Sequence, residues 1–570
     1  MHPNILSVPE FTIFARGRHG RSEMCADGNR LRQPRATLVM LLVKTLRPSI
    51  WGLALVLAGC GDDGGAATSD GSTGATSGPT SGGDATGSDG DATAATTDQP
   101  GEDTTAGSDG GTESESDSDT DGPPPCEAEG FDATSTEWTL PAVGGQTLND
   151  MAGVEDCPDV TNGFRYATTD LDGDGGPDLV LTRDCEGNGS ATDHWVMHAN
   201  DGGGFAASAN WALPDLGNQV LNDLAGINDC PDVTNGFRYA TTDLDGDGRP
   251  DLVLTRDCEG SGSATDHWVV HANDGSGFGA ASDWALPDFG NQALNDLAGI
   301  NDCPDVTNGF RYATTDLTGD GLPDLVLMRD CDGGGVATDF WRVYENDGTG
   351  FSGSATEWSL PDLGGQALND LAGINDCPDV TNGFRYALSD LTGDGAPDLV
   401  LTRDCDGGGI ATDHWRVYEN TGSGFADAAT TWALPDGGGI AYNDLSGIED
   451  CPDVTNGFRY ATADLTGDGA PDLVMTRDCE GGGVATSFWR VFPNEGGGFG
   501  AGLEWPLPDQ GQALNDLGGI EDCPDVTNGF RFTTADLSGD ARSDLVMTRD
   551  CGGDGIATDF WRVFAGVCAE

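Results

Sequence analysis

Residues 157–167 read CPDVTNGFRYA, and this cysteine-marked stretch recurs along the last three quarters of the chain. Its cysteine stands at Cys157, Cys230, Cys303, Cys377, Cys451 and Cys523, so successive copies lie 73, 73, 74, 74 and 72 residues apart. A constant period of this kind indicates a tandem array of structural units. The chain is therefore interpreted as a repeat of six similar units.

A second marker, a phenylalanine followed six or seven residues later by a tryptophan, is out of phase with the first. Its copies are Phe131 to Trp138, Phe205 to Trp211, Phe278 to Trp284, Phe351 to Trp358, Phe425 to Trp432 and Phe499 to Trp505. One copy precedes the first cysteine stretch and none follows the last. The segment missing from the sixth unit thus stands before the first, which predicts a ring closed by an N-terminal strand.

Each unit carries four strand signals separated by Gly-rich and Asp-rich breaks. In the third unit they are FRYATTDL (Phe310–Leu317), DLVLMRD (Asp324–Asp330), DFWRVYEN (Asp339–Asn346) and the stretch Phe351–Leu360. Four-stranded units around a closed ring describe a β-propeller. The sequence predicts an all-β, six-bladed β-propeller over residues 126–570, with the segment QALNDLAGIND as a long connection between blades.

Twelve of the sixteen cysteines form six pairs, each with 28 residues from the first cysteine to the second. The second members are Cys185, Cys258, Cys331, Cys405, Cys479 and Cys551. Regular pairing in a chain with a secretion signal predicts structural disulfides in an oxidising compartment. Pairing within a blade is the simplest choice, and a link between neighbouring blades has the same period.

Two further cysteines fall at the seam of the expected ring. When the ends of the array are aligned on the complete units, Cys126 and Cys568 lie on either side of one hairpin turn. We predict a disulfide between them that locks the ring by restricting the unfolded chain.

Cys60 ends a short apolar run, Ile50–Ala58, that follows Lys44 and Arg47. The sequence LAGC at its end resembles the lipobox of a bacterial lipoprotein signal peptide, which implies lipidation of Cys60 and no membrane span. Residues 1–59 would then be the signal peptide with an N-terminal extension, and Met40 is an alternative start. Residues 60–125 are Gly, Ser, Thr, Asp and Ala, a composition that predicts a disordered tether.

An acidic loop follows the first strand of every unit and reads DLDGDGGPD at residues 170–178. Calcium takes about six to eight oxygen ligands, and carboxylates at loop positions 1, 3 and 5 with glycine at position 6 let a backbone curl around it. Position 7 would add a carbonyl and position 9 a last carboxylate. An EF-hand is excluded because its position 12 is a glutamate, whereas position 12 here is Leu181.

The sequence predicts five to six calcium ions. The sixth loop is the least favourable because Ala541 replaces the turn glycine. The predicted metal ligands are Asp170, Asp172, Asp174, Gly176 and Asp178; Asp243, Asp245, Asp247, Arg249 and Asp251; Asp316, Thr318, Asp320, Leu322 and Asp324; Asp390, Thr392, Asp394, Ala396 and Asp398; Asp464, Thr466, Asp468, Ala470 and Asp472; Asp536, Ser538, Asp540, Arg542 and Asp544.

The loop and the following strand, D-L-[DTS]-G-D-G-x-P-D-L-V, closely resemble the FG-GAP and VCBS repeats of integrin α-type propellers and their bacterial relatives. The resemblance covers residues 131–568 and implies calcium sites that stabilise the blades. This chain departs from the integrin pattern in its paired cysteines and in having six blades instead of seven.

Other recurrent side chains receive structural interpretations. His194 and His198 lie four apart in a strand, about 13 Å from each other, so they do not chelate one ion and are expected to pack with aromatic neighbours. Arg165 and Arg183 and their counterparts are expected to pair with nearby aspartates. Trp195, Trp268, Trp341, Trp415, Trp489 and Trp561 are expected in the core between blades.

The formal net charge of −70 disfavours nucleic acid and anionic lipid as partners. We expect a non-enzymatic, calcium-stabilised recognition or adhesion lipoprotein of the bacterial cell envelope, anchored by lipid to the outer membrane or cell surface. Its partner would be an extracellular glycan or protein. The alternatives are a lyase or hydrolase acting on polysaccharide, which the near identity of the blades disfavours, and a structural envelope component.

Overall fold

The computed structural model describes residues 130–567 apart from 156–163, 185–189, 218, 229–236, 257–263, 290–291, 302–309, 331–334, 376–383, 405–408, 437–440, 450–457, 479–481, 510, 512, 522–529 and 551–554. Every regular element in these residues is a β-strand. All the cysteines lie outside the described residues, as do the predicted signal peptide and the predicted tether. The predicted disulfides and Cys60 lipidation therefore stay predictions.

Six five-stranded antiparallel sheets form the blades of a six-bladed propeller. The first described strands are β1 (Gly130–Phe131) and β2 (Thr136–Thr139). Blade 1 contains β3 (Ala152–Glu155), β4 (Phe164–Thr169), β5 (Asp178–Arg183), β6 (His194–His198) and β7 (Ala209–Ala212). Blade 2 contains β8 (Gly226–Asn228), β9 (Phe237–Thr242), β10 (Asp251–Arg256), β11 (His267–Asn273) and β12 (Phe278–Ala285).

The next three blades repeat this order. Blade 3 contains β13 (Ala298–Asn301), β14 (Phe310–Thr315), β15 (Asp324–Arg329), β16 (Phe340–Tyr344) and β17 (Thr356–Ser359). Blade 4 contains β18 (Ala372–Asn375), β19 (Phe384–Ser389), β20 (Asp398–Arg403), β21 (His414–Tyr418) and β22 (Thr430–Ala433). Blade 5 contains β23 (Ser446–Glu449), β24 (Phe458–Ala463), β25 (Asp472–Arg477), β26 (Phe488–Phe492) and β27 (Leu503–Pro506).

Blade 6 combines the two ends of the described chain. It contains β28 (Gly519–Glu521), β29 (Phe530–Ala535), β30 (Asp544–Arg549), β31 (Phe560–Phe564) and, as its fifth strand, β2. In this pairing Trp138 lies opposite Trp561. The last described strand is β32 (Gly566–Val567), which pairs with β1.

The prediction of four strands per unit was incomplete, because the connection between blades supplies a fifth. In blade 3, Ala298–Asn301 pairs antiparallel with residues 310–313. The run AGIN is short and carries a glycine, so it gives a weak strand signal. The glycine has a local reason: a Cβ on Gly299 would stand 3.1 Å from the hydroxyl of Tyr312. The small residue therefore leaves room for the tyrosine ring.

The third strand of each blade is buried on both faces. In β5 the five residues from Asp178 to Thr182 are buried and Arg183 is half-buried, and the other blades repeat this pattern. A strand covered on both sides has a nearly continuous apolar sequence, instead of apolar residues that alternate with polar ones. The run DLVL, or DLVM in blades 5 and 6, therefore marks the centre of each blade.

The apolar core lies between blades. The fourth-strand tryptophans are 0% exposed, as the sequence predicts. Each donates its indole N–H to a backbone carbonyl of the connection that enters the next blade, as Trp341 does to Leu368 O at 2.7 Å. Trp561 makes the same bond to Leu148 O at 2.7 Å, which joins blade 6 to the segment before blade 1.

Among the described residues there is no helix with the length and apolarity needed to cross a membrane.

The two tryptophans paired across blade 3 provide a matched test of the interface bond. Trp341 and Trp358 are both buried, but within the described residues the indole N–H of Trp358 has no hydrogen-bond partner. We expect Trp341→Phe to lower the free energy of unfolding by about 1–2 kcal/mol more than Trp358→Phe, because only the first leaves a buried carbonyl unpaired. Urea unfolding of both variants measures this, and equal losses would contradict it.

Candidate metal centres

Each acidic loop connects the second and third strands of a blade, so the hairpin fixes both of its ends. In blade 1 the loop runs from Asp170, just after β4, to Asp178, the first residue of β5. The nine positions are numbered from Asp170 as position 1 to Asp178 as position 9. The other five loops have the same place and length.

The position-1 carboxylate organises the curl of the loop. Asp170 Oδ1 accepts a hydrogen bond from Gly173 N at 2.8 Å, and Oδ2 accepts one from Gly175 N at 3.0 Å. Both glycines have a positive φ, 80° and 96°, which residues with a Cβ rarely adopt. The alternating glycines of the sequence are thus required by the turn that surrounds this carboxylate.

In loops 1 and 2 the structure brings three carboxylates together. Asp170, Asp172 and Asp174 form one group, and Asp243, Asp245 and Asp251 form the other, with ligand atoms within 4.8 Å of one another in each group. These are the two loops with aspartate at position 3. Clustered carboxylate oxygens are the donor set that a hard cation such as Ca²⁺ prefers.

Loops 3, 4 and 5 have a threonine at position 3, and its hydroxyl oxygen is buried. Within the described residues Thr318, Thr392 and Thr466 have no hydrogen-bond partner for this oxygen. A buried hydroxyl without a partner is costly. An oxygen ligand facing a cation or its water would remove that cost, so the residues present fit the predicted metal. Calcium bound there would neutralise the loop carboxylates and hold the curl closed.

Position 7 contributes its backbone amide. In loop 1 the amide N–H of Gly176 donates to Asp174 Oδ1 at 2.9 Å, and the corresponding amide does so in the other loops. Two loops add a side chain, since Arg249 pairs with Asp247 and Arg542 with Asp540. These arginines partly neutralise the position-5 carboxylates of loops 2 and 6, which weakens the attraction for a cation there. The sequence alone did not indicate that these two arginines pair with loop carboxylates.

The position-9 carboxylate is clamped by the backbone. Asp178 is 0% exposed, accepts from Leu171 N at 3.0 Å and Asp172 N at 3.3 Å through Oδ2, and accepts from Asn200 N at 2.9 Å through Oδ1. All six loops repeat the bonds from the position-2 amide and from the residue that follows the fourth strand. Position 9 therefore closes the loop, and in loop 2 it also belongs to the carboxylate group.

Burial shifts the titration of these carboxyls. Desolvation raises the pKa of Asp178 and Asp251 to about 7, although backbone amides bound to the carboxylates oppose the shift. Desolvation likewise raises the pKa of Asp324 and Asp398 to about 6. The pKa of Asp170 at position 1 is also raised, by burial and by the nearby charges of Asp174 and Asp172. A bound cation would favour the ionised forms.

The loops of neighbouring blades touch one another. The side chain of Arg249 in loop 2 lies against Gly173 in loop 1, where a Cβ would stand 2.5 Å from its Cγ. The position-7 side chains of loops 3 to 6 lie in the same way against the position-4 glycines of loops 2 to 5. The acidic loops therefore gather at one face of the propeller.

A buried asparagine at or just beyond the end of the fourth strand ties five of the six loops to a neighbouring blade. Asn273 in blade 2 donates its side-chain amide to Leu171 O of loop 1 at 2.8 Å, and Asn200 does the same to Leu537 O of loop 6 at 2.8 Å. Asn346, Asn420 and Asn494 repeat the bond. In blade 6 the equivalent residue is Gly566, and Ser543 Oγ there donates to Asp464 O at 3.2 Å. The asparagine of the recurrent N-x-G sequence, with Asp, Thr or Glu in the middle, was the available sequence signal.

The expected pairing of Arg165 and its counterparts with aspartates is confirmed, whereas Arg183 and its counterparts donate to an asparagine. Arg165 pairs with Asp223 of the next blade at 2.6 Å, and Arg183 donates to Asn222 at 3.1 Å. His194 and His198 lie in the single strand β6, and His198 is buried with Nδ1 3.0 Å from Ala206 O.

No family model matches the chain, and no curated protein matches it. Among solved structures it is similar to the Tc holotoxin pore of Photorhabdus luminescens, with 15% identity over 76% of this chain and a TM-score of 0.39. The chain spans 15% of that toxin chain. The Dos1 propeller is 10% identical over 77% of this chain and 98% of its own, with a TM-score of 0.20. With such scores, the propeller assignment rests on the sheets of the chain itself.

The backbone strain at Ala541 in loop 6 can be tested by substitution. Ala541 has φ 71° at position 6, where Gly395 of loop 4 has φ 90° and open space around a Cβ. We expect Ala541→Gly to raise the free energy of unfolding by about 1 kcal/mol and Gly395→Ala to lower it by about the same amount. Chemical unfolding in chelator measures both changes, and no response in either variant would contradict the strain.

The raised pKa values give a second prediction, on pH. A carboxyl whose pKa is raised on folding contributes stability that is present below its unfolded pKa, near 4, and is lost as pH rises through its folded pKa. Because the pKa is about 7 for Asp178 and Asp251, the metal-free chain should melt at a lower temperature at pH 8 than at pH 5. Saturating Ca²⁺ should abolish this decrease.

The pH experiment has an internal control. Burial lowers the pKa of His198 and His271, so both oppose the carboxyl effect as pH falls below about 6.5. Tyrosine occupies the same position in later blades, as Tyr344 and Tyr418. Replacing both histidines by tyrosine should therefore increase the dependence of the metal-free melting temperature on pH. Identical pH profiles with and without Ca²⁺ would show that the loops do not bind the ion.

Proposed function

We propose that this chain is a calcium-stabilised surface recognition module, built on an FG-GAP or VCBS-type propeller and held at the bacterial cell envelope by lipid on Cys60. Calcium in the acidic loops stabilises the blades and takes no direct part in chemistry. The partner is an extracellular glycan or protein. The clustered carboxylates of loops 1 and 2 and the buried hydroxyls of loops 3 to 5 support the calcium assignment.

One observation carries the proposal: the polar surface groups of the described blades repeat from blade to blade. The arginine of the second strand and the aspartate before the next blade, seen as Arg165 with Asp223, recur as an ion pair at every blade boundary. A catalytic site needs one set of different groups at one place, whereas repeated equal sites raise avidity for a repetitive partner. The repetition therefore favours recognition over catalysis.

The proposal includes covalent links at the ring seam and inside the units. The pairing of β2 with β31 is the contact through which the N-terminal strand would close the ring. A disulfide between Cys126 and Cys568 would lock this seam, and the six evenly spaced cysteine pairs would fasten the units. A peptide map under non-reducing conditions tests these links, and free thiols at these positions would refute them.

A binding screen tests the function. The full chain is applied to an array of glycans and matrix proteins with Ca²⁺ and again with a chelator at a temperature below the metal-free melting point. We expect binding to one partner class, and we expect the temperature range of binding to narrow in chelator because calcium acts through stability. A folded chain that binds no glycan or protein would reject the recognition role.

A further inference from the structure

A polar cavity lies in the crevice between blade 4 and the connection to blade 5. Its volume is about 230 Å³, and its walls include Arg403, Asp404, Ile410, Thr412, Ala441 and Asn443. An equivalent cavity of about 180 Å³ lies between blade 6 and the segment before blade 1, with Arg549, Asp550, Ile556, Thr558, Thr147 and Asn149. The sequence repeats the arginine, aspartate, asparagine and threonine at all six boundaries.

These cavities lie far from the acidic loops. The third strand of blade 4 starts at Asp398, which closes the acidic loop, and ends at Arg403, which lines the cavity. Six extended residues separate the two ends by about 17 Å. The crevices therefore lie at the opposite end of the blades from the predicted calcium sites.

The polar groups of the cavity are held in place by neighbours. Arg403 donates to Asn443 Oδ1 across the blade boundary at 2.8 Å, and Arg416 pairs with Asp404. The cavity near the chain ends repeats both contacts, with Arg549 to Asn149 at 3.1 Å and Arg562 to Asp550 at 2.7 Å. Fixed donors and acceptors are what a binding site needs to select a ligand without reorganising.

The turn that lines each crevice is also strained. Ala411 has φ 78° and is 2% exposed, and the corresponding alanine in every blade has φ between 74° and 80°. A positive φ is disfavoured for residues with a Cβ. The tight turn places Ile410 and Thr412 at the cavity wall, so the crevice has an apolar face beside its polar one.

We propose that the two cavities and the corresponding positions at the other four blade boundaries are binding sites for single neutral sugar residues. The side chains are most alike in blades 3 to 6, because Val196 and Val269 stand at the position of Arg416 in blades 1 and 2. The cavities are smaller than the roughly 300–1,000 Å³ of sites for drug-sized ligands, which suits one sugar ring. Guanidinium and amide donors beside carboxylate acceptors suit neighbouring hydroxyls, which both donate and accept. The carboxylate of Asp404 disfavours an anionic ligand, and the guanidinium of Arg403 disfavours a cationic ligand. This inference rests on the proposed function and names its ligand class.

The test uses the half-buried wall position occupied by Thr147, Val220, Ala293, Ala367, Ala441 and Ala513. Replacing all six by tryptophan should fill the crevices, and replacing the other five by valine, the native residue at 220, is the matched control. The probes are methyl glycosides of mannose, galactose and glucose, with galacturonic acid and glucosamine as charged comparators. Saturation-transfer NMR and calorimetry on the full chain measure binding.

We expect one neutral glycoside to bind with a stoichiometry above one, and we expect the valine variant to keep this binding. The tryptophan variant should bind the glycoside at least tenfold more weakly. Its circular dichroism should match that of the native chain. If the tryptophan variant does not fold, Ala367→Trp and Ala441→Trp together should lower the stoichiometry by two sites. A folded tryptophan variant that binds as well as the native chain would overturn the proposal.

The two hypotheses fail in different ways. Capture of a matrix protein on the array, with no binding of any glycoside, would refute the crevice sites and leave the recognition role intact. Glycoside binding of the native chain that survives in the tryptophan variant would keep the recognition role and move the site elsewhere. Preference for galacturonic acid or glucosamine over every neutral glycoside would refute the ligand class.

Discussion

The buried carboxylate that begins the third strand of each blade is the constraint on which the other contacts depend. Asp398 is 0% exposed, accepts two amides of its own loop and accepts the amide of Asn420 after the fourth strand. A buried carboxylate without such donors would be strongly destabilising. The bonds therefore fix the loop, the start of the central strand and the end of the fourth strand relative to one another. Asn420 then extends this order to the preceding blade through Leu317 O.

The repeat is weakest where the chain ends meet. Blade 6 has Gly566 in place of the bridging asparagine and Ala541 in place of a loop glycine. The N-terminal residues replace part of what is missing. Phe131 packs edge-on against Trp489 at 5.6 Å, the same contact that Phe205 makes with Trp561 at 5.7 Å. The N-terminal segment thus supplies an aromatic interface for blade 5 and a strand for blade 6.

The sequence indicates the strands and turns that form within one blade, and the structure adds the contacts between blades. The apolar run DLV and the acidic, Gly-rich loops identify the central strand and the turn before it, because burial on both faces and positive φ leave direct marks on residue choice. The fifth strand was missed because AGIN gains its order from the strand beside it. The partner of Arg165 could not be fixed either, since a repeat offers equivalent aspartates within the unit and 58 residues away. Only the fold shows that the distant one is used.

The two ends of the central strands have different physical characters, and this separates stability from recognition. At the loop end, desolvation raises the pKa of the carboxyls and the charges of neighbouring carboxylates add to the rise, so an added divalent ion lowers the free energy of the folded state. At the other end, Arg403 and Asp404 are each held by a partner across a strand or a blade boundary, so the local charge is already balanced. Ion binding at the acidic loops is therefore not expected to change the geometry of the crevices. Because every blade has both ends, a change in one repeat acts on its own loop and crevice and on the neighbouring blades that they contact, and leaves the more distant blades in place.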